Sequence, residues 1–187
     1  MPQDERILVV DDEAPVRSIV SAILTRAGYS TTLVASGEEA MLRLQQDPDY
    51  DLILSDIMMP GTDGLSLLDQ IGSDHPSIPV VICSALSDLH VATDAFLRGA
   101  FDYLLQPFES SQLEDVVLRG VEHRRLRKQN ATYRQNLEAI VQARTGRLRS
   151  TMQDLERSYD ITLEAMGDAL DLRDEETEGH SRRVTAY

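Results

Sequence analysis

The stretch DLILSDIMMPGTDGL, residues 51–65, decides the fold. Its Leu-Ile-Leu run at 52–54 is short and apolar, as a buried strand requires. Asp56 stands just beyond that run. Pro60 and Gly61 then break the chain. Leu65, Leu67, Leu68 and Ile71 follow with helical spacing.

The same alternation extends to both sides. Runs rich in apolar and β-branched residues occupy 7–10, 31–34, 80–83 and 103–105. Between them lie segments with helical periodicity. Val16, Ile19, Val20, Ile23 and Leu24 form one stripe, Ala40, Leu42 and Leu44 belong to the next helix, and Val91, Ala95, Phe96 and Leu97 to a later one. Strands alternating with helices imply right-handed crossovers and a parallel sheet covered on both faces. The expectation is an α/β domain over residues 1–120, with a five-stranded, parallel, doubly wound sheet of the flavodoxin-like kind. Gly28, Gly37 and Gly99 fall where helices stop or turns form.

In such a sheet, ligands bind beyond the carboxyl ends of the strands. Asp11 and Asp12 follow the first strand, Asp56 the third and Ser84 the fourth; Tyr103 and Gln106 lie on or just after the fifth. The candidate reactive residues therefore gather at one edge. Three carboxylates in one crevice repel each other unless a cation joins them. Hard oxygen ligands that leave room for water suit Mg2+. An Asp carboxylate can act as nucleophile toward phosphorus and form an acyl phosphate.

These residues carry a resemblance. ILVVDDE, DLILSDIMMPGTDGL, VVICSAL and GAFDYLLQPF are similar to the corresponding stretches of the receiver domain of bacterial response regulators, over residues 6–120. The resemblance implies that Asp56 is the phosphorylation site, served by a sensor histidine kinase. It implies that Mg2+ is bound directly by Asp12 and Asp56, through water by Asp11, and by the main-chain carbonyl of Met58. Ser84 would be the switch hydroxyl and Tyr103 the aromatic switch. Pro107 stands in the family's usual place, often after a cis peptide. One departure matters: the family places a lysine where this sequence has Gln106. Gln donates a hydrogen bond but carries no charge, and charge-assisted bonds are roughly twice as strong. Lys128 is the only lysine in the chain and lies too far along it to substitute.

After Pro107 the character changes. From 109 to about 158 the chain is free of proline and dense in Arg, Glu, Gln and Leu, which predicts one long helix. Leu126, Asn130, Tyr133, Leu137 and Ile140 recur at four-three-four-three spacing. Leu148, Met152, Leu155, Tyr159 and Thr162 resume it, with Arg144 four residues from each run. That is a coiled-coil seam over 121–164 with one locally relaxed point. Asn130 would fix register in a parallel homodimer. The competing reading is an amphipathic helix lying on a partner domain.

The tail, 165–187, is interrupted by Gly167. Its ALDLRDEETEGHSRRV resembles the opening of the HD-GYP domain, a metal-dependent cyclic di-GMP phosphodiesterase. The resemblance implies Glu176 and His180 as metal ligands, one helical turn apart. The His-Asp pair and the Gly-Tyr-Pro segment that name that family are not in this chain, so the chain itself is expected to be a signalling module and not an enzyme.

Composition narrows the classes. Net charge is −14, and residues 1–120 carry all of it, with 20 acids against 6 bases. Residues 121–187 hold 12 of each. The acidic part repels nucleic acid. The basic cluster Arg124, Arg125, Arg127 and Lys128 reads as a solvated helix face. No apolar run approaches the roughly 18–20 residues that cross a bilayer, and no signal peptide is visible. Cys83, the single cysteine, reads as a small buried residue, which fits a reducing cytoplasm. The leading expectation is a response regulator that passes phosphorylation of Asp56 through a dimeric coiled coil to a phosphodiesterase domain. The alternatives are a phosphorylation-independent dimerisation adaptor, and the receiver of a DNA-binding regulator, which would need a helix-turn-helix.

Overall fold

A computed structural model describes residues 5–85 and 89–184. The side chains of 164 and of 167–184 lie outside the described residues. The strands are β1 (Arg6–Val10), β2 (Ser30–Val34), β3 (Leu52–Asp56), β4 (Val80–Ser84) and β5 (Asp102–Leu105). The helices are α1 (Ala14–Arg26), α2 (Gly37–Gln46), α3 (Gly64–Asp74), α4 (Leu89–Leu97) and α5 (Ser110–Val184). All five strands are parallel, in the order β2-β1-β3-β4-β5. That is the doubly wound, flavodoxin-like order.

Strand alternation sorts the core into two layers. Leu8, Val10, Ile53 and Ile82 face one side and pack with Ala40, Leu44, Leu67, Leu68, Ile71 and Ala95. Ile7, Val9, Leu52, Leu54 and Val81 face the other, against Val20, Leu24, Leu113, Val117 and Val121. The helix starts are capped where the sequence supplies oxygens. Ser36 Oγ accepts from Glu39 N at 3.2 Å, and Asp63 Oδ1 accepts from Ser66 N at 2.7 Å. Gly28 and Gly99 adopt positive φ (99° and 97°), as turns after helices require.

Several expectations fail in detail. Ile19, Leu42, Phe96 and Leu97 are all exposed, Leu97 by 82%. Ile19 and Phe96 adjoin positions that do face the core, Val20 and Ala95, and consecutive helical residues point about 100° apart. Gly37 does not stop a helix but opens α2. Gly167 does not interrupt the tail either: α5 is helical through it. A glycine in a helix costs about 1 kcal/mol, which a long helix tolerates.

The basic cluster is also not simply a solvated face. Arg124 is buried, Arg127 donates to the carbonyl of Pro76 at 3.1 Å, and Lys128 Nζ lies 2.9 Å from Asp49 Oδ1 and 3.1 Å from Asp51 Oδ1. Lys128→Met is therefore expected to lower stability by about 0.5–1 kcal/mol in urea unfolding, the modest effect of a partly exposed pair. Asp49 is held below the usual carboxylate range, first by its hydrogen bond from Lys128 and then by that charge. A depressed carboxylate contributes stability that is present above its unfolded pKa and lost as pH falls through the folded one. Parent and variant should thus converge once the pH has fallen through the depressed Asp49 titration.

The chain divides into two compact units between Thr132 and Tyr133. In the second unit Tyr133, Leu137, Ile140, Leu148, Met152, Leu155 and Tyr159 are all exposed, between 47% and 67%. Val141, Ile161 and Leu163, off the expected seam, are exposed too. The backbone at Glu176 and His180 is helical, but their side chains lie outside the described residues. Among the described residues no helix is long and apolar enough to cross a membrane.

Candidate functional site

The site is built from strand ends. β1 delivers Asp11, which is 6% exposed. Asp11 Oδ1 accepts from Glu13 N at 2.7 Å, and the Asp11 carbonyl accepts from the Arg17 guanidinium. Asp12, next in the chain, is exposed. β3 ends on Asp56, whose Oδ2 accepts from Met58 N at 2.9 Å. That bond fixes the carboxylate against the turn leading to α3. Met58 carries an exposed side chain and offers the site its main chain. β4 ends on the fully buried Ser84, whose carbonyl accepts from Gln106 N at 2.8 Å. The peptide between Gln106 and Pro107 is cis.

One crevice is lined by Asp11, Ser55, Asp56, Cys83, Gln106 and Phe108. Gln106 therefore shares a crevice with Asp11 and Asp56. Tyr103 is half-buried on β5, packed against the layer that contains Ile82 and Ala95.

Electrostatics follow from crowding. Burial pushes the Asp11 carboxyl up to about 6, against the lowering effect of the Glu13 N–H, and the charges of Asp56 and Asp12 add to the rise. Asp56 is also raised, first by burial and then by Asp12 and Glu13, with the Met58 and Ile57 N–H groups opposing. Burial, with the Asp56 and Asp11 charges, pushes the Cys83 thiol up to about 12. Cys83 therefore stays a thiol at neutral pH and is no nucleophile.

Among the described residues no group of three or more His, Cys, Asp or Glu is placed to hold a metal ion by itself. The oxygens near the crevice are the carboxylates of Asp11, Asp12 and Asp56 and the Met58 carbonyl, a chemistry that would suit Mg2+, which keeps several waters and takes few protein ligands. The upward shifts of Asp11 and Asp56 point the same way, since a cation would relieve them.

Three features have no signal in the sequence. Arg17 reaches the Asp11 carbonyl. Glu38 Oε1 accepts from Thr62 N at 2.9 Å and from Thr62 Oγ1 at 2.7 Å, pinning the loop after Asp56. An apolar cleft of about 400 Å3, lined by Val16, Ile19, Ala85, Pro107 and Phe108, opens beside Gln106. Only Pro107-Phe108 could have suggested it.

Known proteins resemble this chain in sequence and fold. The response regulator receiver domain family matches residues 7–118. The DNA-binding transcriptional regulator NtrC of Klebsiella pneumoniae is 44% identical over 115 residues, 62% of this chain and 24% of that protein. The chain spans about a quarter of the length of these NtrC relatives. Among solved structures, a response regulator receiver domain protein from Clostridium thermocellum superposes with a TM-score of 0.63 at 26% identity, over 65% of this chain and 98% of that one. The receiver domain of NtrX from Brucella abortus gives 0.59 at 36% identity, over 62% and 98%.

Proposed function

The chain belongs to the response regulator receiver family, and from that premise we propose that Asp56 is its phospho-acceptor, with Asp11, Asp12 and the Met58 carbonyl serving Mg2+. The observation that carries this is the convergence of strand ends. β1 and β3 bring Asp11 and Asp56 to one crevice, which Gln106 after β5 also lines, and β4 ends on Ser84 at the same edge of the sheet. A receiver is the signalling part of a two-component system, phosphorylated by a sensor histidine kinase. The Asp56 carboxylate attacks the phosphorus, the bond from phosphorus to the donor's nitrogen breaks, and the donor keeps that electron pair and takes up a proton. Mg2+, when bound, offsets negative charge on the transferring group. The Met58 N–H orients the nucleophile, and Ser84 and Tyr103 are the groups that would answer the new phosphoryl oxygens. Incubation with a small phosphodonor and Mg2+, read by intact mass, tests the acceptor; no phosphoryl gain would favour a phosphorylation-independent adaptor.

Gln106 sets how strongly the phosphate drives the switch. Gln106→Lys is expected to strengthen coupling by about 1 kcal/mol, the difference between a neutral and a charge-assisted bond. Phosphorylation rate and phosphate-induced self-association, compared between variant and parent, are the readouts. No change in either would remove the weight placed on this residue.

The output is the finer question. The exposed stripe on α5 supports a dimeric coiled coil that carries the signal, and Glu176 and His180 support a metal-dependent cyclic di-GMP phosphodiesterase beyond it. The relatives' names favour a second reading, a DNA-binding regulator. The family match lies in residues 7–118, and residues 110–184 form a single helix with no helix-turn-helix. An HD pair in the parent protein's output region would support the first reading; a helix-turn-helix there would support the second.

A further inference from the structure

At the opposite edge of the sheet, beneath the amino ends of β3 and β4, lies a cleft of about 270 Å3. Its walls come from the α2–β3 loop (Pro48, Asp49), the α3–β4 loop (His75, Pro76, Ser77) and Arg124 of α5. Arg124 is 7% exposed, and its Nε is buried without a hydrogen-bond partner. Burial lowers its pKa, while Asp51 and Asp49 pull it back. Neither carboxylate reaches the Arg124 Nε; both accept from Lys128 Nζ, and Asp51 Oδ2 also accepts from Arg6 N at 3.1 Å.

A buried guanidinium with an unmade hydrogen bond is costly to keep. We propose that this cleft binds a carboxylate, received by the fork of Arg124. A planar monoanion matches two parallel N–H donors. Phosphate suits the site less, because Asp49 and Asp74 stand at the cleft and repel a second negative charge. The cleft is remote from Asp56 in the fold, and this inference does not rest on the phosphorylation reading.

The Arg124 Nε–H resonance of the whole chain is the direct probe. Acetate should move it saturably, while chloride at equal ionic strength should not and inorganic phosphate should act more weakly. Arg124→Lys keeps the charge but loses the fork; it should weaken acetate's effect on the His75 and Ser77 amides at least about tenfold. A short peptide with a free carboxyl terminus separates the two sources: tighter binding than acetate assigns a chain terminus, weaker binding a small free acid. Equal responses to acetate and chloride, stronger binding of phosphate, or an unchanged acetate response in Arg124→Lys would each overturn the proposal.

Discussion

Asp56→Asn is expected to lose phosphoryl transfer from a small phosphodonor altogether, while the domain stays folded and becomes more stable than the parent in Mg2+-free buffer. The first effect follows from chemistry: an amide offers no anionic oxygen to attack phosphorus. The second follows from crowding. Asp56 is raised chiefly by burial and further by Asp12, and Asp11 beside it is pushed up to about 6. Each carboxylate that loses its charge relieves its neighbours. Asn is nearly isosteric with Asp, so packing is little disturbed. Added Mg2+ should correspondingly stabilise the parent more than the variant. Intact mass reads the transfer, and urea unfolding with and without Mg2+ reads the rest. A phosphoryl group still carried by the variant would move the acceptor elsewhere. A variant less stable than the parent would mean that the carboxylates are not repelling one another.

The features legible in the sequence share one property: they are local. Apolar runs of β-branched residues ending in Asp gave β1 and β3 together with Asp11 and Asp56, because a strand and the residue just beyond it are adjacent in both sequence and space. The 3.6 period located α1 to α4, but it overreached where apolar residues sit side by side. Phe96 adjoins Ala95 and Leu97 follows it, and of the three only Ala95 is buried. Long-range pairings left no trace. Glu38 meets Thr62 across 24 residues, and Lys128 meets Asp51 across 77. Arg124 looked like its exposed neighbour Arg125, and only the loops before β3 and β4, far off in sequence, bury it. The long helix was legible, but its continuity through Gly167 was not, since a glycine's cost is small against the cooperativity of the turns around it.

Gly64→Ala is expected to cost about 2–4 kcal/mol and to slow phosphorylation of whatever fraction remains folded. The reason is space and not conformation. Gly64 opens α3 directly behind the Asp56 loop, and its N–H bonds the Ile57 carbonyl at 3.0 Å. A Cβ there would overlap the Asp56 carbonyl oxygen and lie 2.9 Å from Ile57 Cα. Both are backbone atoms and cannot rotate away. Either α3 retreats from β3, opening the core around Leu67 and Leu68, or Asp56 shifts and its carboxylate leaves the position that Met58 N holds. A displacement of about 1 Å is enough to cost a large factor in a reaction that depends on alignment. Gly72, in the same helix, provides the control. Nothing lies within 4 Å of its added Cβ, so Gly72→Ala should stabilise by about 0.5–1 kcal/mol through helix propensity alone. The same substitution twice in one helix should therefore give opposite signs in urea unfolding. Two changes of like sign would show that the contact between α3 and the phospho-acceptor loop is looser than these distances imply.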